Sequence, residues 1–330
     1  MGIVLVVYGH ASRALYANGA APVWAKIVDR LIYAFHMPLF FIVAGLFVWP
    51  SLAKGRGHFV TDRLTTIVYP YFLWSLIEGG LEIGFAGEVN SPIDWHDLAM
   101  VPIVPIEQFW FLYVMAVCLL LALACFPSRA ALAGVTVCGL VIVHRYGTGN
   151  MVLRTLAFFP YLAAGILFAS PLHALGRSRA QAAAVLAGAA SVFILGIAIG
   201  ADGTVSGLVV ALAGSGVILA AAALLGAGRA GSALALLGQA SLAIYIMHTI
   251  FSAGLRISAK AAGLAVPTPA MLVATVAVGI AGPFGLWLVA EHRGLSLPLG
   301  LGRPLRRVRR RSDPRERANG AGMSMVPPVR

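Results

Sequence analysis

Polar residues are sparse along this chain, and they separate apolar blocks of roughly the 20 residues a helix needs to cross a bilayer. The blocks fall near residues 2–18, 31–51, 64–86, 105–126, 130–145, 151–170, 181–200, 204–226, 233–255 and 268–291, the fifth being short. They show no short amphipathic period. The pattern therefore predicts an all-α, polytopic integral membrane protein with about ten transmembrane helices. No internal repeat is visible, which counts against the many transporters built from duplicated halves. The chain opens directly in an apolar stretch with no basic n-region and no convincing cleavage site, so no signal peptide is expected.

Composition agrees with the pattern. Sixty per cent of the 330 residues are hydrophobic and 11% are charged, against about 25% charged in a soluble domain. The net charge of +12 is uneven: ten of the 24 Lys and Arg residues lie between Arg293 and Arg330. This divides the chain into a transmembrane domain, 1–292, and a basic tail, 293–330, expected to be disordered. A basic tail beside a span reads as a topology determinant and a partner for anionic lipid headgroups, and no nucleic-acid partner is expected. With the N-terminus inside, the inner loops hold Lys54, Arg56, Arg63, Arg129, Arg177, Arg179 and Arg229, and the tail adds its ten. The outer loops hold Lys26, Arg30, Arg145, Arg256 and Lys260. Both termini are therefore expected in the cytoplasm. Cys118, Cys125 and Cys138 lie within apolar blocks at no metal-binding spacing, so no metal site is expected.

Ionisable residues inside spans are rare because burying them is costly, and each raises a functional hypothesis. His10 lies about midway along the first block with Arg13 one turn further out. His36, Glu107 and Arg154 fall near outer ends, and His248 about two thirds of the way outward along its block. Gathered in the outer half of a bundle, these six would form a wet cavity able to hold a polar substrate. A lone intramembrane His is as readily a helix–helix hydrogen-bonding residue, and Arg154 and Glu107 can snorkel to the interface. Glu78 and Glu82, one turn apart, would line the same cavity or sit at its mouth. His58, His96, His144 and His173 read as surface residues. At the inner mouth of the third block, Lys54, Arg56 and Arg63 would suit the phosphates of a nucleotide-like ligand, although the topology signal alone accounts for them.

Several stretches together resemble the membrane-bound acyltransferase 3 family, most closely its fucose 4-O-acetylase-like branch. "FHMPLFFIVAGLF" (35–47) resembles the second-helix signature, and "GIVLVVYGHA" (2–11) the first helix with its Gly-His pair. "DRLTTIVYPYFLW" (62–74), "FWFLYVM" (109–115), "RTLAFFPYLAAGILF" (154–168) and "LGQASLAIYIMHTIF" (237–251) resemble later segments in the family's order. The resemblance covers about residues 2–255. It implies transfer of an acyl group, commonly acetyl, from cytoplasmic acyl-CoA to a hydroxyl of a sugar, polysaccharide or glycolipid, with no permanently bound cofactor. His10 matches the family's first-helix histidine, and Arg63 the first member of an Arg-x-x-Arg element whose second position here is Thr66. The family also carries an Arg about ten residues before its first-helix His, a position that falls before Met1. Either the true start lies upstream or this member has lost the group.

A sugar hydroxyl is a poor nucleophile at neutral pH and needs a general base, which an imidazole supplies. The resemblance therefore implies an O-acetyltransferase of the cell membrane, in a bacterium the inner one. His10 and His36 are the candidate catalytic residues, and Arg63, Lys54 and Arg56 are expected to hold the donor. Arg13, Glu107, Arg154 and His248 are expected to hold the acceptor. The rival readings are an exporter of a polar solute, which the same intramembrane charges would serve, and an inactive family member.

Overall fold

The computed structural model describes residues 1–17, 19, 21–88, 92–226 and 228–302. Among these residues the regular structure is entirely helical, in agreement with the apolar pattern. The chain runs through α1 (Gly2–Tyr16), α2 (Val23–Tyr33), α3 (His36–Gly45), α4 (Val48–Leu52), α5 (Arg56–Arg63) and α6 (Tyr69–Gly84). There follow α7 (Trp95–Ala99), α8 (Trp110–Cys125), α9 (Arg129–Tyr146), α10 (Met151–Leu167) and α11 (Ala169–Ala174). The last five are α12 (Arg179–Ala198), α13 (Thr204–Leu225), α14 (Arg229–Gln239), α15 (Ser241–Ala261) and α16 (Thr268–Arg293).

Seven helical stretches among the described residues are long and apolar enough to cross a membrane, or eight if the α10–α11 pair, bent by 61°, is one span. The first and third sequence blocks are helical but fall outside that set. The helix in the first block, α1, has only 15 residues. The third is divided: a π-helical turn, Leu64–Val68, joins α5 to α6. Its cause is local. Pro70 has no N–H to give the Thr66 carbonyl, and the Tyr69 N–H reaches back to Leu64 instead. The ninth block also divides, at Ala240, so that α14 is a separate helix and the long apolar helix begins at Ser241.

The second block shows what a histidine two places before a proline does here. Pro38 cannot donate to the carbonyl four residues back, and the helix stops at Tyr33 and restarts at His36, with Phe35 between them at φ −142°. The His36 Nδ1–H bridges the break by donating to the Ile32 carbonyl at 2.9 Å. The restarted helix α3 is apolar nearly all round and occupies the centre of the bundle, with Phe41 fully buried. It crosses α10 so closely that a Cβ on Gly45 would run into the Leu162 carbonyl, and one on Gly165 into the Ile42 carbonyl. Small residues permit such contact between helices in membranes, where apolar burial drives association little.

Beyond α16 the chain turns back onto α6. Tyr69 Oη donates to the Pro298 carbonyl at 2.6 Å and Trp74 Nε1 to that of Leu299 at 2.9 Å, while Leu301 is buried. The first ten residues of the tail, 293–302, thus belong to the bundle. The rest of the basic tail, 303–330, lies outside the described residues.

Candidate active site

A cavity of about 810 Å³ opens between the ends of α1, α6 and α15 and the start of the segment before α8. His10, Ala11 and Ala14 of α1 line it, together with Glu78, Glu82, Glu88, Glu107, His248, Thr249, Arg256 and Lys260. Helical spacing explains the α1 contribution, since residues 10 and 14 stand one turn apart on the same face. The helices alternate in direction, so these ends lie at the opposite end of the bundle from Lys54, Arg56 and Arg63.

Two imidazoles meet on the cavity wall. His10 and His248 stand edge to face with ring centroids 5.1 Å apart and an interplanar angle of 78°. His248 is fully buried, and its Nδ1 faces the carbonyls of Tyr245 at 2.7 Å and Ile244 at 3.2 Å. A ring nitrogen facing two carbonyls must carry the proton, which leaves Nε2 with its lone pair. No hydrogen bond among the described residues occupies that Nε2. His10 is half-buried. The pair therefore comprises one imidazole locked as a single tautomer and one open to the cavity.

Beside His248 lies a polar network that joins Glu78, expected at the cavity, to Gln108, which was not among the candidates. Gln108 Nε2 donates to Glu78 Oε2 at 2.8 Å and to Thr249 Oγ1 at 3.1 Å, and Tyr245 Oη donates to the Gln108 carbonyl. Glu78 and Gln108 are each 3% exposed, so this is a buried, hydrogen-bonded carboxylate and not a snorkelling one. Gln108 is an amide inside an apolar block, which is the signal that would have marked it. Glu107 opens the segment at φ +40°, in the left-handed region that side chains other than glycine rarely adopt. At the cavity rim Lys260 Nζ pairs with Glu88 Oε2 at 2.7 Å.

The six candidates expected to share one cavity are distributed differently. His10, Glu107 and His248 line the cavity just described. Arg13 turns to the other side of α1, where Asp29 holds it in a two-pronged pair, Nε to Oδ1 at 2.7 Å and Nη2 to Oδ2 at 2.9 Å. Its guanidinium also lies 3.2 Å above the centre of the Tyr33 ring. His36 is 2% exposed and lines neither cavity; it meets the Tyr33 ring edge to face at 4.5 Å. Arg154 stacks over Trp110 at 5.1 Å, also away from both cavities. Tyr33 thus links Arg13 to His36. It gave no signal in the sequence, because a tyrosine near the end of a span is ordinary.

At the other end of the bundle, Arg63 pairs with the adjacent Asp62 at 3.3 Å and lies 5.0 Å from the Phe59 ring. Arg56 donates to the Phe126 carbonyl at 3.2 Å. Thr66, where the resembled element has its second Arg, donates its hydroxyl to the Asp62 carbonyl at 2.7 Å. Lys54 is exposed beside them.

The chain matches the family model of an acyltransferase domain over residues 1–288. It is also similar to the nodulation protein NolL of Mesorhizobium japonicum, with 24% identity over 173 residues, which is 52% of this chain and 46% of that protein. The chain thus aligns with about half the length of that curated relative. No solved structure matches the chain. A family match running from the histidine of α1 through the last long helix is far more than half the chain. This protein is a member of the acyltransferase 3 family, whose members are membrane proteins.

Proposed function

We propose that this protein is a membrane-bound O-acyltransferase that moves an acyl group, acetyl in the simplest case, from acyl-CoA to a hydroxyl of a sugar, polysaccharide or glycolipid. The observation that carries the reading is the His10–His248 pair on the wall of a polar cavity in a chain of the acyltransferase 3 family. The carbohydrate acceptor is what the family resemblance of the ordered segments implies, and the second-helix wording keeps the fucose 4-O-acetylase-like branch as the finer proposal.

In this mechanism His10 is the general base and takes the acceptor's hydroxyl proton as the oxygen attacks the thioester carbonyl carbon. The C–O bond forms, the C–S bond breaks, and the departing CoA thiolate takes up the proton from the imidazolium. His248 orients His10 or the acceptor through Nε2, and Glu78 with Gln108 holds the helix turn that carries His248. Arg63, with Arg56 and Lys54, binds the CoA phosphates at the opposite mouth, and the acyl group reaches the histidines through the bundle. The setting is a bacterial inner membrane crossed ten times with both termini cytoplasmic, the basic tail lying against anionic headgroups. The test is purified protein in detergent with acetyl-CoA and a panel of glycans. CoA thiol release together with an ester on the glycan is expected. Release of neither, from protein that remains folded, would exclude the transferase and leave the exporter or the inactive family member.

A further inference from the structure

On the far side of α1 from the histidine pair lies a second cavity, of about 590 Å³, and its lining does not resemble an ordinary helix interface. Two tyrosines, Tyr33 and Tyr161, face it, and so do two carboxylates, Asp29 and Asp202, and two guanidiniums, Arg13 and Arg30. Its volume lies within the roughly 300–1,000 Å³ of small-molecule sites. Arg13 and Asp29 are bound to one another. Arg30 and Asp202 have no side-chain partner among the described residues, and both stand exposed at the cavity. An exposed guanidinium and an exposed carboxylate on one lining offer donors and acceptors to a ligand that bears both, as a polyol does.

We propose that this second cavity binds a sugar ring of the acceptor other than the ring that is acylated. A pyranose has an apolar face of C–H groups that suits the flat side of a tyrosine. Its rim of hydroxyls donates to carboxylates and accepts from guanidiniums. The two cavities share α1 as a wall: His10, Ala11 and Ala14 line one and Arg13 the other. Gly9 keeps that wall thin, since a Cβ there would come within 2.9 Å of the Tyr33 ring. Both open at the same end of the bundle, where α1, α6, α9, α12 and α15 terminate. An acceptor of several rings, entering from that end, can then reach across the end of α1 with one ring in each cavity.

The proposal rests on the carbohydrate-acceptor reading, and the experiment separates the two. Wild type, Asp202→Ala and Tyr161→Ala are compared as purified protein in detergent, where both ends of the bundle are accessible, with radiolabelled acetyl-CoA. Two acceptors are used: the glycolipid and polysaccharide fraction of the host membranes, and single-ring methyl glycosides at high concentration. Each variant is expected to raise KM for the multi-ring glycans roughly ten-fold, as loss of a charge-assisted or stacking contact does. Their rate with methyl glycosides and their CoA thiol release should stay at the wild-type level. Equal losses on both acceptors, or no loss on either, would overturn the second site while leaving the transferase reading intact. If wild type releases thiol but esterifies no glycan, the carbohydrate reading itself fails, and the second site with it.

Discussion

His10 and His248 come from helices more than two hundred residues apart in sequence, yet their rings meet edge to face at 5.1 Å. The contact assigns different work to the two. His248 is fixed by the carbonyls its Nδ1 faces, while His10 is the imidazole a substrate in the cavity would meet.

Substitution of His10 should therefore affect turnover more than folding. One general base typically contributes 10²–10⁴-fold, so His10→Ala should lower kcat by about that factor in protein that still inserts. His10→Gln keeps a hydrogen-bonding group but cannot take the proton, and should be nearly as inactive. His248→Asn retains a donor toward the Tyr245 carbonyl and loses Nε2, so it should stay folded with reduced turnover. Near-wild-type kcat in His10→Gln, measured as transfer of labelled acetyl, would assign His10 a purely structural hydrogen bond.

The donor site is tested at the opposite mouth. Loss of one charge-assisted contact costs about 1.5–3 kcal/mol, or roughly ten- to 150-fold in affinity. Arg63→Ala should thus raise the acyl-CoA KM by about that much and leave the acceptor KM in place. If donor kinetics do not change, Arg63 serves topology alone.

The Gly45–Gly165 crossing bears on stability. A methyl at Gly45 meets backbone, the Leu162 carbonyl, and not a side chain that can swing aside. Overpacking a well-fitted interior typically costs about 1–3 kcal/mol. Gly45→Ala should accordingly lower the thermal unfolding midpoint in detergent, whereas Gly80→Ala, which would meet nothing within 4 Å, should not. Equal midpoints for the two would mean that α3 and α10 part without cost.

Topology can be read with reporters. The charge asymmetry is dominated by the tail, so a phosphatase fused after residue 330 should be inactive and a cytoplasmic fluorescent reporter bright. An active phosphatase there would invert the orientation and bring Arg63 to the outer face, away from cytoplasmic CoA.

Much of this protein was determined by its sequence. Blocks near 20 residues set the helical class, because in lipid the backbone must satisfy its hydrogen bonds within each segment. The ordered set of segments from "GIVLVVYGHA" to "LGQASLAIYIMHTIF" pointed to the family. His10 and His248 stood out as ionisable groups where burial is costly. Tertiary structure decided which polar groups meet. Sequence shows which residues share a helix face but not which neighbour that face meets, so six outward-lying ionisable groups looked like one cluster. Packing instead divided them across α1, with His10 on one side and Arg13, held by Asp29, on the other. The same holds for His36. Its proline announced a break in the helix, but only the chain's path could show that the ring closes that break at the Ile32 carbonyl. Glu78 and Gln108 lie 30 positions apart and Tyr33 and Arg13 lie on different helices, and no local pattern specifies contacts that depend on how helices cross.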